Sequence, residues 1–240
     1  METLGIIGGL GPMATAYFLE LIVESTDATV DQEHLNSIIY NYPSIPDRTD
    51  FILGKSTESP KPYLLDIAKK LQDSGVVCIA VPCITAHYFH EDLESAVSIP
   101  VINGIRETCK VLNDKKIKTV MVLGTEGTIK SKIFENELYK FGISAITPDE
   151  YCQKTVNKLI YDNIKAGTKP SADDFYNVKN DALRQGAQAI ILGCTELSCL
   201  RKFFDLGDNV IDTLEVLAVT SVQNCGKKTK KSLVDLINIK

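Results

Sequence analysis

Two cysteines in matching contexts are the residues of this chain best suited to chemistry. Cys83 follows an apolar run that ends at Pro82, and Cys194 follows a run that ends at Gly193. Each context is typical of a strand, a turn and then a helix. This places each thiol at the carboxyl end of a strand, where open α/β sheets bind ligands. A helix N-terminus also favours the thiolate form of cysteine. Two such thiols facing one substrate could remove a proton from one face and return a proton to the other.

The composition is that of a folded chain with neither a nucleic-acid nor a membrane signature. The 240 residues are 44% apolar and 24% charged, and the net charge of −5 argues against general nucleic-acid binding. Apolar runs stay short of the roughly 18 residues of a membrane span, and residues 1–5 lack the basic region of a signal peptide. The seven cysteines are odd in number and lack a framework spacing. They indicate reduced thiols and a cytoplasmic location.

Short apolar strands alternate with stretches of helical period. The predicted strands cover residues 4–8, 37–42, 76–81, 101–103, 119–124, 144–146, 189–193 and 210–211. The predicted helices cover residues 12–25, 60–74, 91–97, 105–113, 129–141, 150–166, 172–185 and 214–225. The strands are continuously apolar, which is typical of parallel strands covered on both faces. This order predicts a doubly wound α/β architecture.

The two halves of the chain also resemble each other. The glycine turn at residues 8–11 is similar to the turn at residues 124–127, and each is followed some 70 residues later by one of the two cysteine motifs. This repetition predicts two similar doubly wound parallel-sheet domains related by a pseudo-twofold axis, with the active site in the cleft between them. We expect residues 1–113 with 210–240 to form the first domain, which carries Cys83. Residues 114–209 are expected to form the second, which carries Cys194.

Two histidines follow the first cysteine at helical spacing. His87 and His90 could share one helical face with Cys83, and all three residue types bind zinc. A fourth ligand at a characteristic spacing is not visible in the sequence, so no metal is predicted. We expect His87 either to tune the neighbouring thiol by its charge or simply to pack.

These motifs resemble the aspartate/glutamate racemase family, most closely its aspartate racemase branch. The resemblance runs from about residue 4 to residue 225 and is carried by residues 8–15, 45–49, 82–87, 123–128 and 192–197. The two cysteine motifs are specific in combination, whereas the glycine turn alone is not. The resemblance implies cofactor-independent interconversion of L- and D-aspartate, or of glutamate, with Cys83 and Cys194 as the acid/base pair. It also implies a homodimer.

The resemblance further implies which side chains bind a small dicarboxylic amino acid. Arg48 and Lys165 would hold its carboxylates, although a solvated loop arginine and a helix-end lysine are the plainer interpretations. Glu196 would orient the Cys194 thiol or hold the substrate ammonium, or it is an ordinary acid in a first helical turn. Four threonines either donate hydrogen bonds to the substrate or cap helices, namely Thr85, Thr125, Thr128 and Thr195.

One position departs from the family pattern. The family has asparagine after the first cysteine, where its amide contacts the amino-acid head group, and this chain has Ile84. Isoleucine has no hydrogen-bonding group, so the substrate pose and the substrate identity are open at this position.

Two other classes of function compete with the racemase. Residues 9–14 fit the glycine pattern of nucleotide-dependent oxidoreductases, but Pro12 removes an N–H that would cradle phosphate. Asn41, Tyr42 and Pro43 also stand where that fold needs an acidic residue. The second class is a non-catalytic or weakly active amino-acid-binding homologue, which Ile84 motivates.

Overall fold

The computed structural model describes residues 2–239, in which parallel strands form two separate sheets. The first sheet has the order β2-β1-β3 and the second the order β5-β4-β6-β7. All pairings between these strands are parallel. The strands are Thr3–Gly8 (β1), Asn36–Asn41 (β2), Cys78–Ala80 (β3), Thr119–Leu123 (β4), Ser144–Ile146 (β5), Ala189–Leu192 (β6) and Val210–Asp212 (β7). The predicted α/β class is therefore confirmed.

The helices lie between the strands, mostly where the apolar period predicts them. They are Pro12–Ser25 (α1), Arg48–Ile52 (α2), Lys61–Asp73 (α3), His90–Ala96 (α4), Gly104–Asp114 (α5), Glu126–Lys130 (α6), Ile133–Lys140 (α7), Glu150–Asn157 (α8), Ala172–Arg184 (α9), Thr195–Ser198 (α10) and Thr213–Asn224 (α11). A π-helical segment, Lys158–Lys165, continues α8, and a 3₁₀ segment, Ile84–Phe89, follows Cys83. Several helices start at a side-chain cap. For example, Asn103 accepts a hydrogen bond from Arg106 N, and Asp149 accepts one from Cys152 N.

The two sheets have the same strand order. A parallel bridge from Ile79 to Val101 adds a fourth position beside β3, as β7 does beside β6. The strand expected at residues 101–103 is thus reduced to this single bridge. Each unit builds its sheet around a central strand, β1 or β4, which is followed by a glycine turn. The prediction of two similar parallel-sheet units is confirmed.

The last helix of each unit packs against the other unit's sheet. The apolar residues of α5 share one core cluster with residues of β4 and β6 in the second sheet. These α5 residues are Ile105, Cys109, Val111 and Leu112. Leu214, Leu217, Ala218 and Val222 of α11 lie in a cluster with Leu4 and Ile6 of β1. Two helices are therefore exchanged between the units.

Residues 210–240, which were expected to extend the first domain, are divided between the two units. Within residues 210–240, strand β7 pairs with β6 in the second sheet, while α11 packs mainly on the first sheet. Farther along, Leu236 and Ile237 return to the core of the second unit, and Asn209 N donates a hydrogen bond to Asn238 O at 2.7 Å. The second sheet therefore extends through β7. The expected domain boundary lay before this strand, at residue 210.

Two predicted helices are interrupted. The helix expected over residues 129–141 is split at Lys132, whose φ of 56° is left-handed and ends the first piece. The helix expected over residues 150–166 changes to π-helical geometry at Lys158. Such widened turns are frequent at functional sites. Within residues 2–239, no helix is both long and apolar enough to span a bilayer.

Gly127 lies where the two units approach each other closely beside the cleft. A Cβ atom at this position in α6 would lie 2.9 Å from Thr49 Cα of α2, and it could fit only if the backbone moved. We expect Gly127→Ala to destabilise the fold by about 1–3 kcal/mol, as overpacking does. Urea denaturation measures this change in the free energy of unfolding. Gly104→Ala is the matched control, because its Cβ meets neighbours only at ordinary contact distances of 3.5 Å or more. Equal stability of Gly127→Ala and the wild type would contradict this packing.

Candidate active site

The two cysteines lie in one narrow cavity between the units. Cys83 follows β3 and precedes the 3₁₀ segment, and Cys194 follows β6 and precedes α10. Both side chains are buried, with exposures of 5% and 4%. We call the space between them the site cavity. It is lined by Leu10, Asp47, Arg48, Thr49, Cys83, Ile84, Thr85, Thr125, Lys165, Cys194, Thr195 and Glu196. The structure therefore brings together every predicted site residue except Thr128, which lies directly behind this lining.

The Cys194 thiol is bonded to a carboxylate. Its Sγ donates to Glu196 Oε2 at 2.9 Å, and Thr195 Oγ1 donates to the same oxygen at 3.3 Å. Burial raises the pKa of the Cys194 thiol well above its ordinary value, and the charge and hydrogen bond of Glu196 raise it further. Cys194 is therefore a protonated thiol at neutral pH, ready to act as an acid.

Cys83 has the opposite partner, a guanidinium. Burial lowers the pKa of Arg48, but the neighbouring Cys83, Asp47 and Glu196 more than offset this and hold the pKa above its ordinary value. The cation is fixed by backbone oxygens. Nη1 donates to Ile45 O at 3.3 Å and to Pro46 O at 3.1 Å, and Nη2 donates to Leu10 O at 3.2 Å. Nε has no hydrogen-bond partner among residues 2–239. A buried, unpartnered donor beside Cys83 is a place for a substrate oxygen.

Lys165 reaches the site cavity from the end of the π-helical segment. Its Nζ lies 3.9 Å from Glu196 Oε1 and 4.8 Å from the centre of the Tyr161 ring. Glu196 thus touches Cys194 through one oxygen and pairs with Lys165 through the other.

Hydroxyl groups connect the two units across the cleft. Thr85 Oγ1 of the first unit lies 3.0 Å from Thr125 Oγ1 and 3.0 Å from Thr128 Oγ1 of the second, and these two lie 3.1 Å apart. Thr49 Oγ1 also donates to Thr125 Oγ1 at 3.3 Å. Thr125 fills one of the two roles expected of it, because its hydroxyl caps α6 by accepting a hydrogen bond from Thr128 N. Thr128 supports this group from behind the cavity wall.

Ile84 belongs to the core as well as to the cavity wall. Its side chain is 2% exposed and joins the cluster beneath the second sheet. Although it directly follows Cys83, it donates and accepts nothing there. The hydroxyl of the next residue, Thr85, is therefore the polar group that this segment presents to the cavity.

His87 is the residue whose role sequence reasoning missed. It is buried, its Nδ1 lies 3.1 Å from Cys83 O, and its Nε2 accepts from Gly104 N at 3.1 Å. Because Nε2 accepts, Nδ1 carries the proton and donates. The ring thus fastens the backbone of Cys83 to the first residue of α5. Burial lowers its pKa to about 4, so it stays neutral near pH 7 and does not tune the thiol by charge. Its spacing of four residues from Cys83 was the available signal.

The glycine turn after β1 does not suit a phosphate. A Cβ at Gly11 would lie 3.1 Å from Glu196 Oε1, so a carboxylate faces this turn where a dinucleotide would place its phosphates. A cluster of Asp149, Cys152 and Asp181 also has ligand atoms close together, but its groups hydrogen-bond each other and neighbouring residues at the surface. It lies outside the cavity lining.

The buried neutral His87 predicts a pH dependence of stability. Its pKa is about 4 in the fold and about 6.5 when unfolded. At pH values between these two pKa values, the His87 side chain is largely protonated in the unfolded chain and largely neutral in the folded chain. Stability therefore falls as the pH is lowered from about 6.5 towards 4. In His87→Phe this contribution is absent, so we expect a shallower fall in the free energy of unfolding, measured by urea denaturation at pH 7, 6 and 5. Parallel pH curves for the two proteins would contradict it.

Comparison with known proteins identifies the family of the chain. The sequence profile described as Asp/Glu/Hydantoin racemase matches residues 7–220. The chain is 30% identical over 225 residues to a protein of Bacillus subtilis (strain 168) named broad specificity amino-acid racemase RacX. That alignment covers 91% of this chain and 96% of the relative.

Solved structures give the same result for the fold. Picrophilus torridus aspartate racemase superposes with a TM-score of 0.86 at 33% identity, over 98% of this chain and 100% of that one. Glutamate racemase from Francisella tularensis subsp. tularensis SCHU S4, solved with D-glutamate, shares the fold at a TM-score of 0.64 and 20% identity. It is covered over 80% of its length, and this chain over 92%. The chain therefore belongs to the Asp/Glu/hydantoin racemase family.

Proposed function

We propose that this protein is a cofactor-independent racemase that interconverts the enantiomers of aspartate, or of glutamate, with two cysteines as acid and base. The observation that carries the proposal is the shared cavity. Two thiols, one from each unit, line it together, one beside a cation and the other bonded to a carboxylate. Racemisation needs this arrangement, because a proton must leave one face of the α-carbon and another must arrive on the opposite face.

The reaction balances within the site. The Cys83 thiolate takes the α-proton, an S–H bond forms, and the electron pair of the broken C–H bond moves into the substrate carboxylate. The Cys194 thiol then donates its proton to the opposite face of the α-carbon and becomes the thiolate. The reverse reaction uses the same groups with exchanged roles. Hydroxyls of Thr85 and Thr125 and the free Arg48 Nε are placed to stabilise the charge on the carboxylate.

The two thiols have different charged partners. Cys194 donates a hydrogen bond to Glu196 and is protonated. The positive charge of Arg48 lies beside Cys83, the thiol that takes the α-proton in the direction described above.

The support for an acidic substrate is the pair of cations. Arg48 and Lys165 both line the cavity, and a dicarboxylic amino acid offers two anionic groups to such a pair. The similar structure from Picrophilus torridus is an aspartate racemase, which favours aspartate over glutamate. We infer the homodimer from the family resemblance, and the cytoplasmic location from the seven cysteines that lack a framework spacing.

Exchange of the α-proton tests this function. We expect wild-type protein in D₂O to convert L-aspartate into D-aspartate that carries α-deuterium, followed by NMR and chiral chromatography. Cys83→Ala and Cys194→Ala should each lose racemisation by about 10³-fold or more, since each removes a group from every turnover. Cys109→Ala is the matched control, a buried thiol of α5 outside the cavity, and should keep it.

Absence of α-exchange with both aspartate and glutamate would contradict the racemase and favour the amino-acid-binding homologue that Ile84 motivates. Full racemisation by either active-site variant would contradict the two-thiol mechanism while leaving the activity standing.

Glu196→Gln tests the electrostatic assignment. Glu196 raises the pKa of Cys194, so replacing its charge lowers that pKa. The second thiol then loses its proton at a lower pH, and activity requires one thiol to keep its proton. The high-pH limb of the kcat/KM profile should therefore move to lower pH in Glu196→Gln. A limb that stays in place or moves to higher pH would contradict the role given to Glu196.

A further inference from the structure

We propose that Cys78 and Cys225 form a redox modification site, at which a peroxide joins the two thiols in one intramolecular disulfide. Cys78 lies in β3 of the first sheet, and Cys225 follows directly after α11. The bond would fasten the exchanged helix α11 covalently to the first sheet. The site is separate from the proposed racemase chemistry, because neither thiol lines the site cavity.

The two thiols are already in contact. Cys78 Sγ lies 3.7 Å from Cys225 Sγ, and the two residues are 1% and 3% exposed. A disulfide needs its sulfur atoms about 2.0 Å apart, so these two must approach each other by about 1.7 Å. Cys78 is held by the pairing of β3 with β1. Cys225 is the C-cap of α11, and a helix end adjusts more readily than a paired strand.

The other five cysteines have different surroundings. Cys83 and Cys194 line the site cavity, each beside a charged side chain. Cys152 donates to a carboxylate, Cys199 lies 3.6 Å from a backbone oxygen, and Cys109 is packed in the core beneath the second sheet. Within the part of the chain that the structure describes, contact between two thiols therefore marks a single pair.

The position of Cys225 close to the surface gives a small oxidant its access. The residues on either side of it, Asn224 and Gly226, are exposed, although Cys225 itself is buried. Helix ends fray, and opening of the last turn of α11 would expose this thiol without unfolding the sheet. Hydrogen peroxide is small enough to enter such an opening, whereas Cys78 stays covered within β3. We therefore expect Cys225 to react first.

The reaction balances with one molecule of hydrogen peroxide. Cys225 loses its proton, and its thiolate attacks one peroxide oxygen, so that an S–O bond forms and the O–O bond breaks. The released hydroxide takes up the lost proton and becomes water. The Cys78 thiolate then attacks the same sulfur, the S–S bond forms, and the S–O bond breaks. The second hydroxide takes up the Cys78 proton, so two thiols are oxidised by two electrons while the peroxide is reduced to two molecules of water.

The disulfide would link two positions that are 147 residues apart in the chain. The loop that it closes contains all four strands of the second sheet, β4 to β7. Closing so long a loop restricts the unfolded chain strongly. The bond also ties the end of α11 to the sheet on which this helix packs. We therefore expect the oxidised protein to be more stable than the reduced one. In a reducing compartment the pair stays as two thiols, and the bond forms when peroxide rises.

Treatment of the folded protein with hydrogen peroxide tests the site. The remaining thiols are then alkylated, and tryptic peptides are analysed by mass spectrometry without reduction. We expect the peptides of Cys78 and Cys225 to be joined, with the loss of one hydrogen atom from each cysteine. The midpoint of thermal unfolding should rise by about 5 °C or more on oxidation and should return to its original value with dithiothreitol.

Two variants and a control locate the bond. Cys225→Ala should give neither the joined peptides nor the rise in the unfolding midpoint, and Cys78→Ala should behave in the same way if the first variant does not fold. Circular dichroism checks the fold of each. Cys109→Ala is the matched control, because it removes a buried thiol from the core beneath the second sheet. It should form the joined peptides as the wild type does.

Recovery of Cys78 and Cys225 as alkylated thiols, or as separately oxidised thiols, after the peroxide treatment would overturn the site. A disulfide that joins either residue to a different cysteine would overturn it as well. Joined peptides without a higher unfolding midpoint would overturn the fastening of α11 to the sheet. All of these results are independent of whether the protein racemises aspartate.

Discussion

The exchange of α5 and α11 between the two units is the constraint on which the site depends. In each parallel sheet one strand, β3 or β6, is followed at its carboxyl end by a cysteine, and one sheet alone would leave that thiol at an open rim. Because α5 is buried against the second sheet and α11 against the first, the two edges cannot separate without exposing apolar side chains. The distance between Cys83 and Cys194 is therefore fixed by the core rather than by the loops that bear them.

The exchanged helices fix the relative position of the two cysteines, and polar contacts position the two thiols further. His87 ties the Cys83 backbone to the first residue of α5, so the helix that joins the units also holds one of the thiols. The threonine hydroxyls join the 3₁₀ segment after Cys83 to the turn before α6. These bonds are buried, and such bonds specify one arrangement of a site more than they add to its stability. Electrostatics then distinguishes two thiols in otherwise similar surroundings. Arg48 lies beside Cys83, and Glu196 accepts a hydrogen bond from the Cys194 thiol.

The strand and helix pattern, the two similar units and the meeting of Cys83 with Cys194 could all be predicted from the sequence, because they follow from apolar periodicity and from the place of strand ends in parallel sheets. Three features could not. The break at Lys132 depends on the left-handed backbone conformation of this one residue. Lysine rarely adopts that conformation, so the sequence does not indicate it. The position of β7 depends on long-range pairing with β6. The role of His87 depends on the approach of Gly104, which lies 17 residues away and is brought close only by the folding of α5.

The central claim is that two different thiols serve the two faces of the α-carbon, and the position of solvent deuterium in the first turnovers tests it most directly. Starting from L-aspartate in D₂O, two separate acid/base groups predict that the D-aspartate formed carries α-deuterium while the remaining L-aspartate still carries protium. A single group that returns its exchanged proton to either face would place deuterium in both enantiomers from the start. That second result would contradict the mechanism.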